Sequence, residues 1–194
     1  MKKKILISPV IYQNLNKEKF FSFSSNWIKY LKKLNFIPYF FNNFKEKLDV
    51  YDGLLIPGTG EIFKISKLKL DKDRENIEKR LIKHFLNKNK PILTVCRGTL
   101  LISSINGSKI VKIKGHVKKI HDIKLNKNFI KTNSYHNYMI LNKPKGFKVI
   151  GKTKDNCIEI LQNNKKNILS LMFHPERKNF SQKYIDKMIK NFFS

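Results

Sequence analysis

No apolar run in the chain approaches the roughly 18 residues needed to cross a bilayer, so no membrane span is expected. Cysteine occurs only at positions 96 and 157. The two could pair in principle, but Cys96 falls at a strand-to-helix turn described below, so a reduced, cytoplasmic protein is expected, with Cys157 a core thiol on a strand. Proline and glycine are thinly spread, 6 and 8 in 194 residues, with no linker-like cluster and no internal repeat. Residues 1–194 are therefore read as a single domain. Acidic residues are outnumbered, 14 against 41 Lys+Arg, for a formal charge of +27. Such a balance often serves a polyanion. Arginine is nearly absent, however: Arg74, Arg80, Arg97 and Arg177 stand among 37 lysines. Arginine is the side chain that grips phosphate bidentately, and lysines scattered amid Asn and Ile have the look of drift in an AT-rich genome. A nucleic-acid partner is accordingly not expected, whereas a small anionic substrate is compatible with the charge.

What is present is globular, 41% hydrophobic and 12% aromatic. Met1-Lys2-Lys3-Lys4 before Ile5-Leu6-Ile7 imitates a secretion signal, but Pro9 interrupts the apolar part and no small-residue cleavage site follows. A first buried strand, Lys4 to Ile11, is expected instead. Glu18 to Lys33 reads as an amphipathic helix, with Phe20, Phe23, Trp27, Ile28 and Leu31 along one face. Asn35 to Phe41 is a strand whose Pro38 suits an edge. Asp52 to Ile56 is another, ending in the turn Pro57-Gly58-Thr59-Gly60. This β, α, β order predicts a parallel, doubly wound sheet with crossover helices.

Lys64 to Asp71 reads as a polar loop before a helix over Lys72 to Asn87, with Asp71 or Asp73 as its cap. From Ile110 onward short alternating runs predict mostly antiparallel strands, at Val117–Leu125, Ser134–Leu141, Phe147–Lys152, Ile158–Leu161 and Ile168–Phe173. A last helix spans Ser181 to Phe193, capped by Ser181, with Tyr184, Ile185 and Ile189 inward.

Between the two halves lies Pro91-Ile92-Leu93-Thr94-Val95-Cys96-Arg97-Gly98-Thr99-Leu100. A β-branched run meets a cysteine, then a small-residue break, then a helix-forming apolar run that stops at Gly107. This places a thiol at a strand-to-helix turn, where the helix N-terminus favours the thiolate. It reads as a nucleophile elbow carrying Cys in place of Ser. A nucleophilic thiol needs a base, a group that orients the base, and N–H donors for the oxyanion. His174 ends a strand and Glu176 follows across Pro175, a spacing that lets the carboxylate reach the imidazole. The Arg97 N–H is one natural oxyanion donor, and the small-residue Gly58-Thr59-Gly60 turn offers another. Taken singly, each feature has a plain structural reading: free Cys is usually buried core, and Pro-Gly-Thr-Gly is usually only a turn.

Taken in this order, the chain resembles the class I glutamine amidotransferase family, and within it the stand-alone γ-glutamyl hydrolases. Asp52 through Gly58 resembles the oxyanion-loop motif, and Arg74 and Glu78 fall where the helix before the elbow carries such residues. Pro91 through Gly98 resembles the nucleophile segment, Asn133-Ser134-Tyr135-His136 the strand lining the γ-glutamyl pocket, and His174-Pro175-Glu176 the base motif. The resemblance implies a flavodoxin-like three-layer α/β sandwich with a mostly parallel central sheet and additional antiparallel strands in the C-terminal half. It implies Cys96 as nucleophile, His174 and Glu176 completing a triad, and Gly58, Thr59 and Arg97 as backbone oxyanion donors. Gly60, Ser134, Tyr135 and His136 would bind substrate.

The chain departs from the family pattern at Leu100, where a Gln is usual, at Thr94, where a small residue is usual, and at Met172, where a Gln is usual. These changes leave the triad residues in place and bear on recognition of the substrate. The implied substrate is a small γ-glutamyl amide, nucleotide-linked in the branch this lysine-rich chain is most similar to, with Lys64, Lys67 and Arg177 as candidates to meet a diphosphate. No Cys/His spacing fits a metal site, and the chemistry requires neither metal nor cofactor. The second reading is a glutaminase subunit supplying ammonia to a separate synthetase, which co-purification would reveal. The third is a catalytically silent nucleic-acid module, whose retention would be salt-sensitive and indifferent to Cys96→Ala.

Overall fold

The computed structural model describes residues 1–126 and 128–194. In chain order the elements are β1 (Lys4–Ile7), β2 (Val10–Gln13), β3 (Lys19–Ser22), α1 (Ser25–Lys33), β4 (Ile37–Phe40), β5 (Gly53–Ile56), α2 (Phe63–Ser66), α3 (Lys69–Asn87), β6 (Ile92–Val95) and α4 (Arg97–Ile105). They continue with β7 (Ile110–Lys112), β8 (Val117–Lys124), β9 (Phe129–Tyr135), β10 (Tyr138–Ile140), β11 (Lys148–Lys152), β12 (Ile158–Asn163), β13 (Ile168–Leu171) and α5 (Gln182–Phe193). A 9-stranded sheet runs β4-β1-β5-β6-β13-β12-β11-β8-β9. Its strands from β4 to β13 are parallel neighbours, and the pairings from β13 to β9 are antiparallel. The fold is thus flavodoxin-like α/β with an antiparallel extension built from the second half of the chain.

The central strands are buried on both faces, and the period of 2 along each strand sends alternate side chains to different helix layers. Ile5, Ile7, Leu55, Leu93 and Val95 pack with Trp27 and Leu31 of α1 and Ile185 and Ile189 of α5. Leu6, Leu54, Ile56 and Ile92 pack with Leu81 and Phe85 of α3 and Leu101 and Ile102 of α4. Each such side chain contributes about 1.5–3 kcal/mol by leaving water, so the strand pattern alone commits helices to both faces.

The placement of β13 brings the site together. It arrives antiparallel to β12 and inserts beside β6 in parallel, with Leu171 opposite Val95. The residues that follow each strand, Cys96 on one and Met172 to His174 on the other, therefore leave the sheet side by side.

Several local expectations are corrected. The helix expected from Glu18 starts only at Ser25, because Lys19–Ser22 pairs with Val10–Gln13 as a hairpin and leaves Phe20 and Phe21 exposed. The apolar spacing there serves a strand, and Ser24 ends it by accepting the Asn26 N–H at 3.3 Å. Lys4 to Ile11 is likewise divided, into β1 and β2. Part of the expected loop before α3 is the short helix α2, and α3 begins at Lys69 with no side-chain cap. Asp73 pairs with Lys19 at 2.6 Å instead of capping. Ser181 does not cap α5; its hydroxyl accepts the Lys131 N–H at 2.8 Å, and Tyr184 lies exposed. Among the described residues no helix is long and apolar enough to cross a membrane.

Candidate active site

Cys96 occupies the sharp turn between β6 and α4 with φ 48° and ψ −107°, outside the ordinary regions for a side-chain-bearing residue. Such a backbone costs about 1–3 kcal/mol and persists only where surroundings over-determine it. Here they do. The Cys96 N–H donates to the Leu171 carbonyl at 2.7 Å. The Thr99 hydroxyl lies 3.0 Å from the Thr94 carbonyl and 2.8 Å from that of Leu171, and the Thr94 hydroxyl donates to Ser170 Oγ at 2.8 Å. A Cβ at position 98 would lie 2.5 Å from the Ile56 carbonyl oxygen. The small residue after the elbow is therefore demanded by the neighbouring strand β5.

The turn after β5 is clamped from below. Arg74 on α3 donates through Nη1 to the Thr59 carbonyl at 2.7 Å and through Nη2 to that of Pro57 at 3.1 Å. Since each trans peptide sets N–H opposite its carbonyl, the Gly58 and Gly60 N–H groups turn away from Arg74. Arg74 Nε also donates to Glu78 Oε1 at 2.9 Å, and the Arg97 guanidinium bonds the other Glu78 oxygen. Arg97 Nε reaches the Glu61 carbonyl at 3.1 Å. Burial pulls the Arg74 pKa down to about 10, with Glu78 opposing that fall. The i, i+4 Arg74/Glu78 pair that was visible in the sequence thus links α3, the turn and the elbow helix through one buried carboxylate.

His174 follows β13. Asn133 on β9 holds its backbone from both sides: Oδ1 accepts the His174 N–H at 2.9 Å, and Nδ2 donates to the His174 carbonyl at 2.8 Å. Asn179 Nδ2 donates to the same carbonyl at 3.0 Å. His174 Nδ1 lies 2.7 Å from Glu176 Oε1, and both side chains are buried. Burial alone would lower the His174 pKa; its bonds to Cys96 and Glu176 outweigh that and raise it to about 9. A Cβ at Gly58 would lie 2.6 Å from His174 Cε1, 3.2 Å from its Nε2 and 3.1 Å from Cys96 Cβ. Gly58, Cys96 and His174 therefore converge on one point.

The other expected positions divide. Tyr135 stands edge-on to the His174 ring at 5.9 Å, and the Arg177 guanidinium lies 4.4 Å over the Tyr135 ring. Thr59 and Gly60 are on the exposed rim of the turn. Ser134 and His136 have their side chains engaged elsewhere, Ser134 with the His116 carbonyl at 2.6 Å and His136 with the Tyr138 carbonyl and Glu159. Lys64 and Lys67 belong to or follow α2 and are exposed, Lys67 Nζ lying 6.0 Å from the Phe63 ring centroid. Thr94, Leu100 and Met172 are all buried on the α4 side of the sheet. A cavity of about 50 Å³ borders Pro57, Gly58, Thr59, Glu176 and Arg177. The wider one, about 970 Å³ between β8 and β11, touches none of these residues. Sequence reasoning missed the supporting role of Asn133 and Asn179, since no spacing rule joins residues 41 and 5 positions from the backbone they hold.

The fold and this arrangement define an α/β protein with a cysteine at the elbow beside a His–Glu pair. The chain belongs to the class I glutamine amidotransferase family, whose pattern matches residues 18–194. It is 30% identical over 126 residues to the γ-glutamyl-CDP-amidate hydrolase of Campylobacter jejuni, a match covering 65% of this chain and 62% of that protein, less than two thirds of its length. It is 26% identical to the glutamine amidotransferase-like protein YvdE of Lactococcus lactis, over 78% of this chain and 77% of that one. Among solved structures, one described as a GMP synthase subunit from Thermoplasma acidophilum superposes with TM-score 0.75 at 19% identity, covering 100% of this chain and 93% of the other. A glutamine amidotransferase from Thermotoga maritima gives 0.68 at 16%, covering 98% and 86%. At these identities the two structures speak for the fold.

Proposed function

We propose that the chain is a cysteine-dependent hydrolase that cleaves a γ-glutamyl amide and releases glutamate. The observation that carries this reading is the convergence of Cys96, His174 and Gly58 on one point at the N-terminus of α4. His174, its pKa raised to about 9, takes the Cys96 proton as general base. The thiolate adds to the γ-carbonyl carbon, and backbone N–H groups of Arg97 and of the Gly58–Thr59 turn receive the oxyanion. As the C–N bond breaks, His174 gives its proton to the departing nitrogen, leaving a thioester. His174 then takes a proton from water, the hydroxide adds to the thioester carbonyl, and C–S cleavage frees glutamate. Glu176 keeps Nδ1 protonated, which turns the other ring nitrogen toward Cys96.

We infer that the substrate is γ-glutamyl-CDP-amidate, cleaved to cytidine diphosphoramidate and glutamate. Support comes from the named activity of the Campylobacter jejuni relative and from the Arg177 guanidinium poised over Tyr135 beside His174, where it meets an anionic leaving group. The test is glutamate release from that amidate, from glutamine and from a γ-glutamyl polyamine. Cys96→Ala should abolish turnover of all three with the fold intact, and retained turnover defeats the cysteine mechanism. For the wild type, kcat/KM on the nucleotide amidate should exceed the others by at least about tenfold; similar values defeat the substrate assignment.

A further inference from the structure

A second concentration of reactive groups lies away from Cys96. His116, just before β8, His136, just after β9, and Cys157 and Glu159, at the start of β12, each bring a ligand atom to within 4.8 Å of the others, and all four are buried. Cys157 and Glu159 are two apart on extended chain and so share a face. Each imidazole is oriented through its far nitrogen. His116 Nε2 lies 2.8 Å from Asp155 Oδ2, and His136 Nδ1 lies 3.0 Å from the Tyr138 carbonyl oxygen. Both partners only accept, so these nitrogens donate, and each ring turns its other nitrogen inward. There His136 Nε2 meets Glu159 Oε1 at 3.3 Å, and His116 Nδ1 meets the same oxygen at 3.7 Å. His116 Nδ1 and Glu159 Oε2 are buried without a hydrogen-bond partner. Two ring nitrogens and a carboxylate facing one another in a buried site call for a shared positive charge. A carboxylate or backbone carbonyl on the outer ring nitrogen is the usual support of a metal-bound histidine.

We propose that His116 Nδ1, His136 Nε2, the Cys157 thiolate and a Glu159 carboxylate oxygen bind one Zn²⁺ ion. Two neutral imidazoles, a thiolate and a carboxylate balance the ion's charge, and this donor set is one Zn²⁺ accepts. On binding, Cys157 loses its thiol proton to solvent. Tetrahedral bonds of ~2.0–2.3 Å set donor atoms ~3.3–3.5 Å apart in a site with one sulfur, so groups within 4.8 Å draw in by at most about 1.5 Å. Four protein ligands leave no open position, which makes the ion structural. It ties the ends of β8 and β9 to β12, whose Glu159 carbonyl accepts the Met172 N–H at 2.9 Å. The inference does not depend on the amide chemistry.

The test uses the full chain without a polyhistidine tag. It is loaded with Zn²⁺, dialysed and measured by elemental mass spectrometry, and the metal-free protein is titrated with Co²⁺. Expected are one Zn²⁺ per chain, a thiolate-to-Co²⁺ charge-transfer band, and a Tm raised by Zn²⁺. Asp155→Asn, at a side chain 54% exposed, should weaken binding about 10- to 100-fold, and His116→Gln and Cys157→Ser should weaken it more. Cys96→Ala should keep the full metal content. Should His116→Gln or Cys157→Ser not fold, Asp155→Asn decides. A Zn²⁺-loaded wild type holding no stoichiometric metal overturns the proposal, as does metal content and affinity unchanged by these substitutions.

Discussion

Gly58→Ala separates chemistry from folding with a single methyl group. The backbone at Gly58 is not left-handed, so alanine meets no conformational penalty there, but its Cβ would sit 2.6 Å from His174 Cε1 and 3.1 Å from Cys96 Cβ. Ordinary contact begins at 3.4 Å, so the ring or the turn must retreat by about 0.8 Å. His174 has little freedom to do so, with its backbone held by Asn133 and Asn179 and its Nδ1 by Glu176. A misplacement near 1 Å costs about 10²-fold in rate, or about 2.7 kcal/mol of transition-state stabilisation. For stability, overpacking of about 1–3 kcal/mol is partly offset by the ~0.4–1 kcal/mol an alanine gains through the unfolded chain. The net change of about 0–2.6 kcal/mol lowers Tm by no more than roughly 10 °C in a domain of this size. The assay is enzymatic detection of released glutamate, paired with thermal unfolding followed by circular dichroism. A folded Gly58→Ala protein with kcat/KM within about threefold of wild type, well short of the expected 10²-fold, would refute the idea that Cys96 and His174 act across this contact.

Glu78→Gln removes the carboxylate that joins the buried Arg74 and Arg97 guanidiniums. Stability in urea should fall by about 3–5 kcal/mol, and a loss under about 1 kcal/mol, the scale of an exposed pair, contradicts the clamp. The pH dependence of stability should bear the signature of His174, whose folded pKa is raised from 6.5 to about 9. Protonation then favours the native state, so its stabilising contribution is full below pH 6.5 and is lost as pH climbs through about 9. The stability gap between wild type and His174→Gln should accordingly narrow from mildly acidic to alkaline pH. A gap that widens instead shows that the Cys96 and Glu176 contacts do not hold the imidazolium.

The layers of the fold were legible in the sequence because burial on both faces writes near-continuous apolar runs, as at Ile5-Leu6-Ile7 and Leu54-Leu55-Ile56, and helices write a 3.6 period. The elbow was legible because its signature is contiguous, a β-branched run, Cys96, the small Gly98 and an apolar helical run, although the demand for Gly98 comes from β5, within 2.5 Å of a would-be Cβ. Where two periodicities competed, the sequence misled. The Phe20-Phe21-Phe23 cluster fits a helix face, yet pairing with Val10–Gln13 made it a hairpin, since strand partners lie outside any local window.

By itself, then, the sequence determined the strand-turn-helix that presents Cys96, the His174-Pro175-Glu176 pairing and the Arg74/Glu78 couple, all set by neighbours within a few residues. Only the tertiary structure decided that β13 enters beside β6 and so brings His174 to Cys96. It also decided that Asn133 holds the His174 backbone, that Ser134 and His136 direct their side chains into other contacts, and that His116, His136, Cys157 and Glu159 meet. Those contacts join positions far apart in the chain, and their geometry follows from sheet order and register, which no local pattern of residues encodes.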